Sequence, residues 1–149
     1  SRCWSNTDDS CFGDTSMSNA QNFSIQINND WKAKEKDILK IFASIENDAL
    51  TGVVMKSPVD TGRFRSNWSV SISVPDLTIL PKSTIKSANQ VLTEGRNKIK
   101  ANKKLTNVYI QNNLPYAMRL ENGWSKQAPA GMVAITINEI KHKYNGMII

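Results

Sequence analysis

Between Trp31 and Lys56 apolar side chains return every three or four residues. Ile38, Ile41/Phe42, Ile45, Ala49 and Val53 form one helical stripe, while Lys34, Glu35, Lys36, Lys40, Glu46 and Asp48 take the wetter side. Asn29 or Asp30 offers the N-cap, and Pro58 stops the helix by lacking an N–H and pushing Ser57 out of helical geometry. Just upstream, residues 24–28 alternate through Ile25 and Ile27, which predicts a short strand. Residues 67–74 alternate throughout: Trp68, Val70, Ile72 and Val74 on one face, Asn67, Ser69, Ser71 and Ser73 on the other. This predicts an antiparallel strand with one buried face, ended by Pro75-Asp76.

Residues 83–100 predict a second helix, with Ile85, Ala88, Leu92 and Ile99 near one face and Gly95 costing about 1 kcal/mol relative to alanine. Residues 107–111 predict another strand through Val108 and Ile110. Pro115 opens a short helix running to Glu121, and Asn122-Gly123 stops it. After a loop at 124–130, residues 132–144 fit both periods: Val133, Ile135 and Ile137 for a strand, Val133, Ile137, Ile140 and Tyr144 for a helix. Length favours the helix. The pattern as a whole predicts an α+β fold, a long N-terminal helix and further helices packed on a small antiparallel sheet.

Composition adds bounds. With 149 residues, 40% apolar and 21% charged, the chain suits one globular domain. No apolar run is long enough to cross a bilayer and no basic start leads into an apolar stretch, so a soluble chain made in a cytoplasm is expected. Both cysteines, Cys3 and Cys11, lie in residues 1–16, an aperiodic segment rich in Ser, Asp and Gly, and Met17 offers a plausible start. Residues 1–16 are therefore expected to be a disordered or appended extension, and 17–149 a single domain. A Cys3–Cys11 bridge remains open there, but no second ligand pair makes a metal site convincing.

The net charge is +6, and from Met17 onward 18 basic residues face 10 acidic ones, giving +8. Arg96, Lys98, Lys100, Lys103 and Lys104 are the densest basic cluster. They could contact phosphates, although no aromatic residue accompanies them to stack on bases. The plainer reading is a solvated helix end whose lysines complement the helix dipole. His142, the one histidine, lies between Lys141 and Lys143 and reads as solvated. Glu121 and Glu139 flank the 123–131 loop, but sequence spacing cannot place two carboxylates across a substrate. No nucleophile elbow, zinc helix, EF-hand or phosphate loop occurs, so no catalytic, cofactor or metal residue is expected. Asn22-Phe23-Ser24 and Asn67-Trp68-Ser69 match a glycosylation acceptor that is common by chance.

Two stretches together carry a family resemblance. One is SPVDTGRFRSNW at 57–68; the other is YIQNNLPYAMRLENGWSKQAPAGMV at 109–133. A Pro-Val-Asp-Thr-Gly turn entering a tryptophan strand, then Tyr-Ala, Glu-x-Gly and Gln-Ala-Pro-x-Gly-Met, resembles the neck and tail-completion proteins of long-tailed bacteriophages, the group that includes minor tail protein Z. With the flanking helices the likeness spans about residues 28–144 and is weakest over 77–104.

The resemblance implies a structural virion subunit at the head–tail junction or the tail top. It would work by docking to other tail or connector proteins and to copies of itself in a ring, a hexamer in members that close the tail top. The lack of a spanning run leaves no membrane partner expected, and the basic cluster leaves non-specific contact with packaged DNA open. Within the motifs, Asp60, Gly62, Tyr116, Glu121, Gly123, Pro129 and Gly131 are expected to hold the fold, Asp60 by capping the backbone after it. Arg63, Arg65, Trp124, Gln127 and Met132 are the interface candidates. The competing expectation is a basic nucleic-acid-binding module.

Overall fold

The computed structural model describes residues 9–147, with side chains from residue 20 onward. Of the extension expected at residues 1–16, residues 1–8 lie outside the described residues and residues 9–16 are helical; Cys3 and the side chain of Cys11 also lie outside them. Contacts divide the chain into two units, one ending at Ile38 and one beginning at Leu39. In the first, helix α1 (Asp9–Lys56) replaces the strand expected at 24–28 and the caps expected at Asn29 and Asp30. The physical reason is that a strand needs a partner for its backbone groups, whereas a helix satisfies its own. Phe23, Ile27 and Trp31 also recur at helical steps, and every residue from Ala20 to Lys34 is exposed.

The second unit is α+β. After the end of α1 come α2 (Arg63–Ser66), β1 (Trp68–Ile72), α3 (Ala88–Ala101), β2 (Val108–Asn112), α4 (Ala117–Glu121) and α5 (Val133–Tyr144). β1 and β2 pair antiparallel, with Trp68 opposite Asn112, Val70 opposite Ile110 and Ile72 opposite Val108. Two strands alone are marginal in water. The core that supports them joins Leu50, Val53 and Val54 of α1 to Phe64, Trp68, Val70, Val91, Leu92, Ile99, Leu114, Leu120 and Met132.

β1 is shorter than its alternation predicts. Ser73 takes φ 69°, and the Val74 N–H donates back to the Ile72 carbonyl at 2.8 Å. That tight turn carries the chain off the sheet, so Val74 is 70% exposed instead of joining the buried face. α3 likewise starts at Ala88, five residues later than 83. Ser87 and Gln90 form a capping box: the Ser87 hydroxyl accepts from Gln90 N–H at 3.2 Å, and Gln90 accepts from Ser87 N–H at 2.8 Å. Ile85, expected on the helix face, precedes it and is exposed.

Glycine lets the helices meet closely. A Cβ on Gly95 would lie 2.3 Å from Leu50 Cδ2, and one on Gly52 would lie 2.5 Å from Thr136 Cγ2. Gly95 therefore gives up helix propensity so that α3 can press against α1. Outside the core, α1 and α5 are joined by Lys56–Glu139 at 2.7 Å. Lys143 and Tyr144 both donate to Asp48 Oδ2, each at 2.7 Å. Those two hydrogen bonds hold the Asp48 carboxyl below its ordinary value against some burial.

Candidate functional site

The two motif stretches pack on each other. Ser57, buried at the end of α1, donates its hydroxyl proton to Val53 O at 2.5 Å and accepts the indole N–H of Trp68 at 2.6 Å. Arg65 reaches back to the same helix end, donating from Nε to Val54 O (3.1 Å) and from Nη2 to Ser57 O (3.4 Å). It thus satisfies carbonyls that a helix terminus leaves unpaired. Asn112 donates to Phe64 O at 2.7 Å, tying β2 to α2. Gln127 clasps the first motif: Val59 N–H donates to Gln127 Oε1 at 2.8 Å and Gln127 Nε2 donates to Val59 O at 3.3 Å.

Glu121 organises the second motif. Its Oε2 accepts the N–H groups of Met132 and Val133, both at 2.9 Å, and its Oε1 accepts that of Ala134 at 3.0 Å. The carboxylate therefore caps α5 from the end of α4, where the helix dipole also favours negative charge. Burial pushes this carboxyl up, but the three N–H bonds outweigh it and hold it below the ordinary glutamate value. The loop between needs glycine at two places. Gly123 has φ 89° and a Cβ there would sit 2.4 Å from Pro129 O; Gly131 has φ 81° and would meet Glu121 O at 2.4 Å.

These contacts correct several expectations about single residues. Met132 is 1% exposed and belongs to the core, so it is no surface contact. Gln127 is exposed but both ends of its amide are used within the chain, and the Arg65 guanidinium is half-buried in its capping role. Asp60 caps nothing: Gly62, at φ 82°, precedes α2 with no side-chain cap, and Thr61 Oγ1 accepts from Arg63 N–H at 3.3 Å. Arg63 is half-buried, its Nε without a partner. Asn67, in one glycosylation triplet, is buried, donating to Arg63 O and accepting from Leu80 N–H.

Trp124 is the interface candidate left open, 75% exposed with the Arg119 guanidinium 5.6 Å from its ring centre. It walls a cleft of about 450 Å³ that Phe64, Tyr116 and Leu120 line, with Asp60, Arg119 and Gln127 also around it. Tyr116 packs on Phe64 (6.1 Å between ring centres), which meets Trp68 edge-on at 5.9 Å. Met118, 71% exposed, lies beside Arg119 on α4.

The basic cluster is split. All five residues are exposed, but Lys98 donates to Val70 O at 3.0 Å on β1 and Arg96 to Thr51 Oγ1 at 3.0 Å on α1. The groups considered for chemistry have other engagements: Glu121 caps α5, Glu139 pairs with Lys56, and His142 is exposed in the last turn of α5. Among the described residues, no three His, Cys, Asp or Glu side chains group closely enough to hold a metal ion. No helix among them is long and apolar enough to cross a membrane.

Sequence reasoning missed Ser57, Asn112 and Arg119. A serine just before a helix-ending proline and an asparagine at a strand end are signals for the first two; Arg119 carries none. No protein-family model, curated protein or solved structure matches the chain.

Proposed function

We propose that the chain is a non-enzymatic structural subunit of a tailed bacteriophage, completing the tail or the head–tail connector by docking to copies of itself and to neighbouring virion proteins. The paired motifs at 57–68 and 109–133 carry this reading. Their polar side chains are spent on one another: Ser57 on Trp68, Gln127 on Val59, Glu121 on the start of α5. Such a frame resists deformation and presents an aromatic group, Trp124, at its surface beside a cleft with both polar and aromatic lining. A subunit that works by shape needs both a fixed frame and a contact surface.

Deleting the gene from a phage that encodes it tests the reading. Electron microscopy of the lysate is expected to show separate heads and tails, and complete infectious particles would refute it. Exposure of Lys100, Lys103 and Lys104 favours a second reading, phosphate contact with nucleic acid. Gel-shift affinity that falls with salt and with neutralisation of those lysines would support it, and no binding at low salt would dispose of it.

A further inference from the structure

The chain holds two Asn-Gly pairs, at 122–123 and 145–146. Such a pair loses ammonia without an enzyme, because a glycine has no Cβ to shield its nitrogen from the asparagine amide. Hydroxide takes the proton of the glycine N–H, and the nitrogen lone pair forms a bond to the asparagine Cγ. The side-chain amide leaves as ammonia, closing a five-membered imide. Water then opens the imide at either carbonyl, giving aspartate or isoaspartate. Ring closure requires the glycine nitrogen to eclipse Cβ about the Cα–C bond of the asparagine. With ψ 11° at Asn122 and 128° at Asn145 neither pair is so placed, and each must first rotate.

What opposes that rotation differs between the two. Asn122 and Gly123 close α4 as a Schellman motif: Asn122 N–H donates to Met118 O, Gly123 N–H to Leu120 O and Trp124 N–H to Arg119 O, each at 3.1 Å. Gly123 is half-buried, and Pro129 O occupies the side where its Cβ would stand. Turning Asn122 therefore pulls Gly123 and Trp124 out of the frame that Glu121 anchors. Asn145 and Gly146 are both exposed. They form the corner of a type II turn just past α5, with Asn145 at φ −64° and Gly146 at φ 76°. The hydrogen bond across this turn, from Met147 N–H to Tyr144 O, is 3.3 Å long, and among the described residues nothing lies within 4 Å of a Cβ on Gly146.

We propose that Asn145 is a site of spontaneous deamidation in the folded chain, and that Asn122, with the same following residue, is protected by its fold. The change puts a carboxylate at the C-terminal end of α5, which the helix dipole disfavours. It stands one residue from Tyr144, whose hydroxyl donates to Asp48. The net charge falls by one, from +6 to +5. Isoaspartate also lengthens the backbone by one carbon, so the type II turn does not re-form. Neither step depends on what the chain docks to.

Full-length protein, folded or unfolded in guanidinium chloride, is incubated at mildly alkaline pH, digested with trypsin and read by mass spectrometry. Cleavage after Arg119, Lys126 and Lys143 puts Asn122 in the peptide 120–126 and Asn145 in the peptide that begins at Tyr144, each with a single asparagine. In denaturant both peptides are expected to gain one dalton at similar rates. In the folded protein the Asn145 peptide is expected to convert at least about tenfold faster than the Asn122 peptide, a ratio that the hydrogen bonds broken on opening Asn122 supply. Gly146→Ala, which shields the attacking nitrogen, is expected to slow the first and leave the second unchanged. Equal rates in the folded protein, a faster Asn122, or an Asn145 that stays intact while the unfolded chain converts would overturn the proposal.

Discussion

Replacing Glu121 with glutamine should cost far more than one exchanged side chain at the edge of a loop suggests. The carboxylate accepts three backbone N–H groups, two of them at Oε2. Glutamine keeps one acceptor oxygen and turns an NH₂ donor toward at least one of those N–H groups. Hydrogen bonds to a charged group contribute about 1.5–3 kcal/mol each, and loss of a helix N-cap costs about 0.5–2 kcal/mol. These values overlap, since they count the same N–H groups, and exposed Val133 and Ala134 can turn to water. A net loss of about 2 kcal/mol is expected at neutral pH, which lowers the melting temperature by roughly 6–12 °C for a cooperative unit of this size.

The pH dependence follows from the depressed carboxyl. A group whose folded pKa lies below its unfolded value stabilises fully above the unfolded value, about 4.5 here, and loses that contribution as pH falls through the folded one. Urea unfolding followed by tryptophan fluorescence should therefore show a gap between wild type and Glu121→Gln that is full at pH 7 and narrows in strong acid. A gap below about 0.5 kcal/mol at pH 7, or one that does not change with pH, would refute the capping role.

Gly131→Ala is expected to destabilise by more than the roughly 1–2 kcal/mol of a left-handed residue, because its Cβ would also meet Glu121 O at 2.4 Å; urea midpoints measure it. Gly95→Ala gains about 1 kcal/mol in helix propensity but forces Leu50, wholly buried, to move, so a net loss of about 1–2 kcal/mol is expected by thermal melting. Trp68→Phe keeps the ring in the core but leaves the Ser57 hydroxyl without its donor, and calorimetry should find a loss of about 1–3 kcal/mol. Asp48→Asn should destabilise at neutral pH, with the difference disappearing below the ordinary aspartate range, because Lys143 and Tyr144 depress that carboxyl.

Periodicity was enough to locate β1, α3, β2 and α5 of the second unit, and turn residues located α4, whereas the single turn of α2 is too short to show a period. It failed where backbone geometry overrides side-chain pattern. Val74 continues the alternation of β1, yet Ser73 at φ 69° turns the chain away one residue earlier. The start of α3 was legible in Ser87-Ala88-Asn89-Gln90, a capping box, but the apolar pattern drew attention to Ile85 instead. Ile25 and Ile27 imitate a strand because two alternating residues are too few to fix a period; in α1 they point to different sides of the helix. Within the site, the glycines of the motif were readable as turn residues, whereas partners such as Glu121 with α5 or Ser57 with Trp68 depend on tertiary approach. Met132 shows the same limit: a large apolar residue beside a loop can as easily seed the core as face a partner.

The central proposal, that this chain holds neighbours in place by surface shape, meets its most direct test in a reconstruction of particles of a phage whose genome carries the gene. The account predicts density for the α1 helix and the two-stranded unit as repeated copies at the neck or tail top, with the Trp124 face against a neighbour. Particles of that phage that are complete and infectious but contain no copy of the chain would contradict it.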